Sequence, residues 1–430
     1  MAAPEHIQPT QSPKGTRDFY PEEMRLQNHI FEGWRRVCHA FGFEEYEGPT
    51  FEHLELYVGK SGPEIVDQLY VFKDKGNRDL ALRPELTPTL ARMVNQKGNS
   101  LRYPVKWFSI PRLFRYERAQ RGRLREFFQL NMDIVGCNTV AAESDLVGAV
   151  IEMLKGFGLG SEDFSVRISS RKILSEFLDR LEVEASKKPA VYSALDKRSK
   201  IGEEPFRKLL REQEIRDSQV DRLEAFFQCR SVPELAALFE REQETPGLTE
   251  LRELFALLAH LGYEAFLSLD TSVVRGLAYY TGIVFEVFDK GQNLRAIAGG
   301  GRYDSLLSSL GGASVSAVGF GMGDVVLADL LNGKGLLPTG RQGVDYYLAD
   351  VAASELPRLE LLLLAKHLRS KGLSAAYSLN GGKLKKQLTE ANEQGARRLI
   401  FFGSDRALPG AYEVKDLTTG EQKTMREEEL

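Results

Sequence analysis

Residues Pro111–Val135, PRLFRYERAQRGRLREFFQLNMDIV, read as two strands joined by a short loop loaded with arginine. In the second run Phe127, Gln129, Asn131 and Asp133 alternate with Phe128, Leu130, Met132 and Ile134. Side chains two residues apart on a strand share a face, so one face is apolar throughout and the other is largely polar. Arg115 and Glu117 share a face of the first run in the same way. Alternation alone is the ordinary pattern of an antiparallel sheet with one wet side. Phe-Arg-x-Glu, then a basic loop, then Arg-x-Phe is more specific. It describes a polar floor carrying fixed charges, with Arg118, Arg121, Arg123 and Arg125 placed to close over an anion.

The chain around this hairpin has 430 residues, enough for two or three domains. Hydrophobic residues make up 42% and charged residues 27%, the balance of a soluble globular protein. The net charge of −4 advertises no global basic field, so a nucleic acid would have to meet local Lys/Arg patches. Cys38, Cys137 and Cys229 lie far apart and form no CxxC pair. Neither a disulfide framework nor a metal site is indicated, and a reducing cytosol is the simplest compartment. No apolar run approaches membrane-spanning length, and MAAPEHIQPTQSP has no hydrophobic signal core.

Pro21 followed by Glu22 and Glu23 marks a helix start that suits the helix dipole, and the pattern predicts a helix to about His39. A second helix is predicted over Ala142–Phe157. From about Ile173 to His260 amphipathic segments at the helical period dominate, which reads as a helical insertion. Strand-like sequence returns at Ala265–Leu269, Thr281–Phe288, Ala296–Tyr303 and Val318–Gly323. A boundary falls in the Gly- and Pro-rich Leu331–Gln342. Beyond it strands and helices alternate, predicting a small α/β domain with a mostly parallel sheet.

Three further blocks carry chemistry. In LRPELTPT, Arg83, Glu85 and Thr87 fall on one face, where a carboxylate and a hydroxyl can hold an ammonium group. In VRGLAYYTGIVFEVF, Arg275 brings a permanent cation, Gly276 lets the backbone pass close to a ligand, and two tyrosines supply hydroxyls and ring walls. In AIAGGGRYDSLL through AVGFGMGD, three glycines precede Arg302 and Tyr303 and open the backbone to a flat ligand. Neither a Walker loop nor a GxGxxG fingerprint is present.

In this order the four blocks resemble the histidyl-tRNA synthetases, a class II aminoacyl-tRNA synthetase family. The resemblance runs from KGTRDFYP to VKDLTTGEQ, and RPELT, FRYERAQRGR–REFFQ and RGLAYYTG are its most specific stretches. It implies an α+β catalytic core, an antiparallel sheet flanked by helices, over 1–172 and 261–332. It also implies a helical insertion over 173–260 and a C-terminal α/β anticodon-binding domain over 343–430. A homodimer follows from the same likeness, with the N-terminal helix and the strand reaching Pro49 at the interface. The implied reaction joins L-histidine and ATP into histidyl-adenylate and passes histidine to tRNA(His) in the cytoplasm, with Mg²⁺ on the outer phosphates. Arg115 then matches the arginine on the α-phosphate and the histidine carboxylate, with Arg275 opposite it. Glu117 accepts from the adenine amino group, Phe127 stacks on the ring, and Arg123 faces the outer phosphates. Glu85 and Thr87 hold the ammonium of histidine with Gln129 beside them. Asp133 and Tyr280 bracket the imidazole, and Tyr303 completes the pocket.

The sequence departs from the family pattern at two places. Class II enzymes generally carry Glu-Arg after the last glycine of motif 3, where the arginine lies against ATP; here GFGMG is followed by Asp324, Val325 and Val326. Either another cation substitutes, with Arg302 the expectation, or ATP binding is weakened. Ala278 also stands where many members have Asp. A silent histidine-binding paralogue, such as the regulatory subunit of ATP phosphoribosyltransferase, typically lacks the Arg-Gly-Leu-x-Tyr-Tyr stretch and the C-terminal domain. A synthetase for proline, threonine or glycine is argued against by Arg275–Gly282. Lys383, Lys385 and Lys386 in GGKLKKQLTEAN are candidates for phosphate contact with the anticodon stem.

Overall fold

The computed structural model describes residues 10–58, 66–117, 122–239, 245–273, 279–291, 294–339, 343–352, 354, 357–404 and 410–430. The chain divides into two units, Met1–Leu337 and Pro338–Leu430.

In the first unit the strands are β1 (Glu44–Glu45), β2 (Phe51–His53), β3 (Val71–Lys73), β4 (Asp79–Leu82), β5 (Val105–Ser109) and β6 (Arg112–Phe114). They continue with β7 (Glu126–Val135), β8 (Phe164–Ser170), β9 (Leu267–Leu269), β10 (Ile283–Asp289), β11 (Ala298–Arg302) and β12 (Ala317–Gly323). Nine of them form one sheet in the order β1-β5-β7-β12-β11-β10-β8-β9, with β6 also on β7. The interior pairings are antiparallel, while β1 lies parallel to β5 and β9 parallel to β8 at the edges. β2, β4 and β3 make a separate three-stranded antiparallel sheet.

β7 is the second strand of the hairpin, and it is paired on both sides. One side holds β12 along Gln129–Val135; the other holds β5 along Asn131–Val135 and β6 along Glu126–Phe128. Its polar face is therefore not the wet face of an edge hairpin: Asn131 and Asp133 are buried. On the opposite face Leu130, Met132 and Ile134 join Val318, Phe320 and Met322 of β12 and Phe285 and Val287 of β10 in the main core. The helices Pro21–Ala40 and Ala141–Gly156 close that core. The first buries Ile30, Phe31, Trp34, Val37 and Cys38, a helical stripe, and the Trp34 indole donates to Met322 Sδ at 3.2 Å.

Between β8 and β9 the described residues form six helices, from Arg171–Arg180 to Pro246–His260. Their apolar faces, with Phe177, Phe206, Leu223 and Phe226 among them, belong to the same core as the sheet. The other face of the sheet carries a smaller cluster around Leu90, Val284, Tyr279, Tyr280 and Tyr303. That face is only partly covered, and the site lies there.

In the second unit β13 (Tyr346–Asp350), β14 (Ala375–Tyr377) and β15 (Arg398–Phe402) are parallel, and β16 (Ala411–Asp416) and β17 (Gln422–Arg426) add on antiparallel. The sheet is thus mixed rather than mostly parallel. A tight turn returns β17 along β16, with Asp416 Oδ1 accepting the amides of Thr418 and Thr419. The helices Leu359–Ser370 and Leu384–Glu393 cover opposite faces: Leu361, Leu364 and Leu368 pack with Tyr346 and Leu348, and Ala391 with Tyr347 and Ala349. Lys383, Lys385 and Lys386 are exposed at the start of the second of these helices.

Candidate active site

Three adjacent strands, β7, β12 and β11, make the floor. Gly319 pairs with Asp133, Gly321 with Asn131 and Gly323 with Gln129, and on the next strand Gly301 pairs with Gly319 and Gly299 with Gly321. All these glycines point to the partly covered face, so β12 and β11 present bare backbone beside the polar side chains of β7. The space is already claimed by those side chains. A Cβ at Gly319 would lie 1.9 Å from Asp133 Oδ1, and one at Gly321 would lie 2.7 Å from Gln129 Cδ.

Two hollows open over this floor. A small one, about 60 Å³, is lined by Glu85, Thr87, Gln129, Asn131, Tyr279, Tyr280 and Tyr303. A larger cleft, about 660 Å³, is lined by Glu117, Arg123, Phe127, Glu286, Arg295 and both Val325 and Val326. Arg115, Gln129, Gly299 and Gly321 line both, so the hollows are adjacent and Arg115 stands at their junction. Arg115 Nε donates to the Pro84 carbonyl at 2.9 Å, and its guanidinium lies 5.4 Å from the Phe127 ring centroid.

The small hollow is walled by tyrosines with assigned partners. The Tyr279 hydroxyl donates to Glu85 Oε2 at 2.8 Å, and the Tyr303 hydroxyl donates to Asp133 Oδ1 at 2.5 Å. Tyr279 meets Tyr303 edge to face at 5.8 Å. Burial pushes the Asp133 carboxyl up to about 7, and the Tyr303 hydrogen bond opposes that rise. A carboxyl raised on folding binds its proton more tightly in the folded state. Its stabilising contribution is complete at or below the ordinary carboxylate range and is lost as pH climbs to about 7. Asp133→Asn should therefore gain stability relative to the wild type between about pH 5 and pH 8, by roughly 2–3 kcal/mol at most. Urea unfolding at both pH values checks this, and an identical offset at the two would refute it.

In the larger cleft Glu117 is buried and forms an ion pair with Arg123 Nε. Arg123 thus lines the cleft, as the sequence predicts, with its guanidinium paired to Glu117 there. Arg125 is engaged away from the cleft, stacked 4.2 Å from the Tyr116 ring centroid and donating to the Glu117 carbonyl. Arg83 does not join Glu85 and Thr87. It is buried in the framework, donating to Glu47 and to the carbonyls of Arg112 and Gly48.

Arg302 is not the substitute cation. Its guanidinium donates to Glu143 at 2.6 and 2.5 Å and to the carbonyl of Cys137, and it lines neither hollow. Removing one partner from a buried pair of this kind costs about 3–5 kcal/mol, so the side chain is not available to swing toward a ligand. Asp324, which begins the helix Asp324–Gly333, is fully buried; it accepts from Arg17 at 2.6 Å and from the Phe128 amide at 3.0 Å. Asp324 thus anchors the N-terminal segment through Arg17. Arg275, Ala278, Arg118 and Arg121 lie outside the described residues.

The structure therefore gathers Glu85, Thr87, Gln129, Tyr280 and Tyr303 at the small hollow, with Asp133 behind Tyr303. It gathers Glu117, Arg123 and Phe127 at the cleft. The sequence gives Tyr279 no role distinct from its neighbour, yet its hydroxyl is the one that meets Glu85. Sequence reading also misses Glu286, signalled by the alternation of β10, and Arg295, which no local pattern marks.

A family model described as histidyl-tRNA synthetase matches residues 15–324, and one described as an anticodon binding domain matches 360–430. The chain is similar to a histidine–tRNA ligase of Opitutus terrae, 41% identical over 98% of this chain and 97% of the relative. A chloroplastic/mitochondrial histidine–tRNA ligase of Arabidopsis thaliana is 42% identical over 95% of this chain and 84% of the relative. Among solved structures, a histidyl-tRNA synthetase from Nostoc sp. PCC 7120 superposes with a TM-score of 0.80 at 26% identity, covering 98% of this chain and 97% of that one.

Proposed function

The chain belongs to the histidyl-tRNA synthetase family, and from that premise we propose how its site divides the work of a histidine–tRNA ligase. The protein activates histidine with ATP and transfers it to tRNA(His). The observation that carries the division of labour is Arg115, shared between a small polar hollow and a larger, nucleotide-sized cleft.

Histidine takes the small hollow. Glu85 and Thr87 receive its ammonium, Tyr280 flanks its imidazole, Gln129 and Tyr303 complete the wall, and Asp133 acts from behind by holding the Tyr303 hydroxyl. These buried polar groups reject analogues that leave them unpaired. ATP takes the cleft, with Glu117 accepting from the adenine amino group and Phe127 against the ring. A histidine carboxylate oxygen attacks the α-phosphorus and the bond to pyrophosphate breaks. Arg115, joined by Arg275, stabilises the charge that builds on the α-phosphoryl oxygens. A terminal ribose hydroxyl of tRNA then attacks the acyl carbon and AMP leaves.

Among the described residues no group of three or more His, Cys, Asp or Glu side chains is placed to hold a metal ion. Mg²⁺ ordinarily binds through one or two carboxylates and the substrate phosphates, and Glu286, on the cleft wall, fits that manner of binding. Arriving on ATP, Mg²⁺ would neutralise the β- and γ-phosphates.

A homodimer is supported by the small sheet β2-β4-β3. Phe51, Val71 and Phe72 expose 50%, 50% and 40% of their surface there, and the two phenylalanine rings pack edge to face. A cytosolic setting is supported by three free cysteines. Among the described residues no helix is long and apolar enough to cross a membrane. The silent-paralogue reading is not favoured, because the anticodon-binding match covers residues 360–430, most of the second unit.

Histidine-dependent exchange of pyrophosphate into ATP tests the assignment with purified protein. Exchange with histidine and none with proline, threonine or glycine is expected. Exchange driven better by one of those would assign the hollow to another amino acid.

A further inference from the structure

The cleft has a charge to account for. Val325 and Val326 occupy the positions where the class II pattern carries Glu-Arg, and both line the cleft without offering a cation. Arg302 is locked on Glu143 and lines neither hollow, and Arg123 is paired with Glu117 in the cleft. Among the described residues one further arginine besides Arg115 and Arg123 lines the cleft, Arg295, which precedes β11 and has an exposed side chain.

Its position relative to Val326 is informative. A Cβ built on Gly122 would lie 3.6 Å from Val326 Cγ2 and 3.9 Å from Arg295 Cδ, so the two side chains flank one point above the cleft. Among the described residues no hydrogen bond or ion pair engages the Arg295 guanidinium.

We propose that Arg295 binds the outer phosphates of ATP, supplying from the strand side the cation that Val326 does not supply from the helix side. The proposal rests on the reading of the cleft as the nucleotide site. Phosphate is favoured over the adenine ring for two reasons. Glu117 and Phe127 already serve the base, and the planar guanidinium fork matches two phosphate oxygens in a way no neutral ring atom does. The first turn of the helix Asp324–Gly333, through Val325 and Val326, also lines this end of the cleft, and helix starts favour anions.

The test uses the full chain in pyrophosphate exchange, comparing wild type, Arg295→Ala and Arg295→Lys. Arg295→Ala should raise the KM for ATP on the order of tenfold or more, the effect of losing a charge-assisted hydrogen bond. The KM for histidine should stay within about twofold, and Arg295→Lys should recover part of the loss. A non-hydrolysable sulfamoyl analogue of histidyl-adenylate lacks the outer phosphates, so it should inhibit wild type and Arg295→Ala equally. An unchanged KM for ATP overturns the proposal. So does an equal loss of affinity for ATP and for the analogue, which would place Arg295 on the nucleoside. Absence of histidine-dependent exchange in the wild type would instead overturn the assignment of the enzyme, a separate failure.

Discussion

Arg115→Ala should lower the rate of histidyl-adenylate formation on the order of a thousandfold, the cost of removing a preorganised donor from developing charge. The loss should appear in kcat and in kcat/KM alike, because the contact is made most strongly to the pentacoordinate phosphorus. The fold should survive. Arg115 follows β6, partly exposed, and its bond to the Pro84 carbonyl lies beside the hollows, outside the apolar core clusters. Single-turnover exchange with a thermal unfolding control measures both. A loss smaller than about tenfold with an unchanged melting curve would remove Arg115 from the reaction.

Gly319→Ala should be nearly as damaging through one methyl group. The added carbon would lie 1.9 Å from Asp133 Oδ1 and 2.9 Å from the Met132 carbonyl. Neither neighbour has room to retreat, since Asp133 is buried and held by Tyr303, and the carbonyl belongs to the central strand. We expect a histidine KM raised on the order of a hundredfold and a stability loss of roughly 1–3 kcal/mol from overpacking. Gly323→Ala is the internal control. It lies on the same strand and face, yet its Cβ meets nothing within 4 Å, so histidine binding should be unchanged. Equal behaviour of the two variants would show that the glycine floor is not what shapes the hollow.

Much of this site could be read before any coordinates. The period-two alternation of β7 depends only on local backbone geometry, so Gln129, Asn131 and Asp133 fall on one face in the sequence as in the structure. The helix from Pro21 was equally plain, because its proline, its acidic first turn and its apolar stripe are all local signals. Pairing is different. Nothing near β7 says that β12, almost two hundred residues later, will lie beside it, and that pairing turns a wet hairpin face into a buried floor.

The charges separate along the same line. The types and spacing of the arginines and carboxylates were visible in the sequence, and so was the absence of the motif 3 arginine. Which arginine serves a ligand was not. Arg302 adjoins the glycine run and looked available, but a glutamate 159 residues away holds it. Arg295 looked unremarkable, but it lines the cleft opposite Val326. Sequence alone determined the chemical inventory and the local periodicities, because both are set within a few residues. Tertiary structure decided which charges neutralise one another and which remain for substrate, because electrostatic partnership depends on distance through space and on burial.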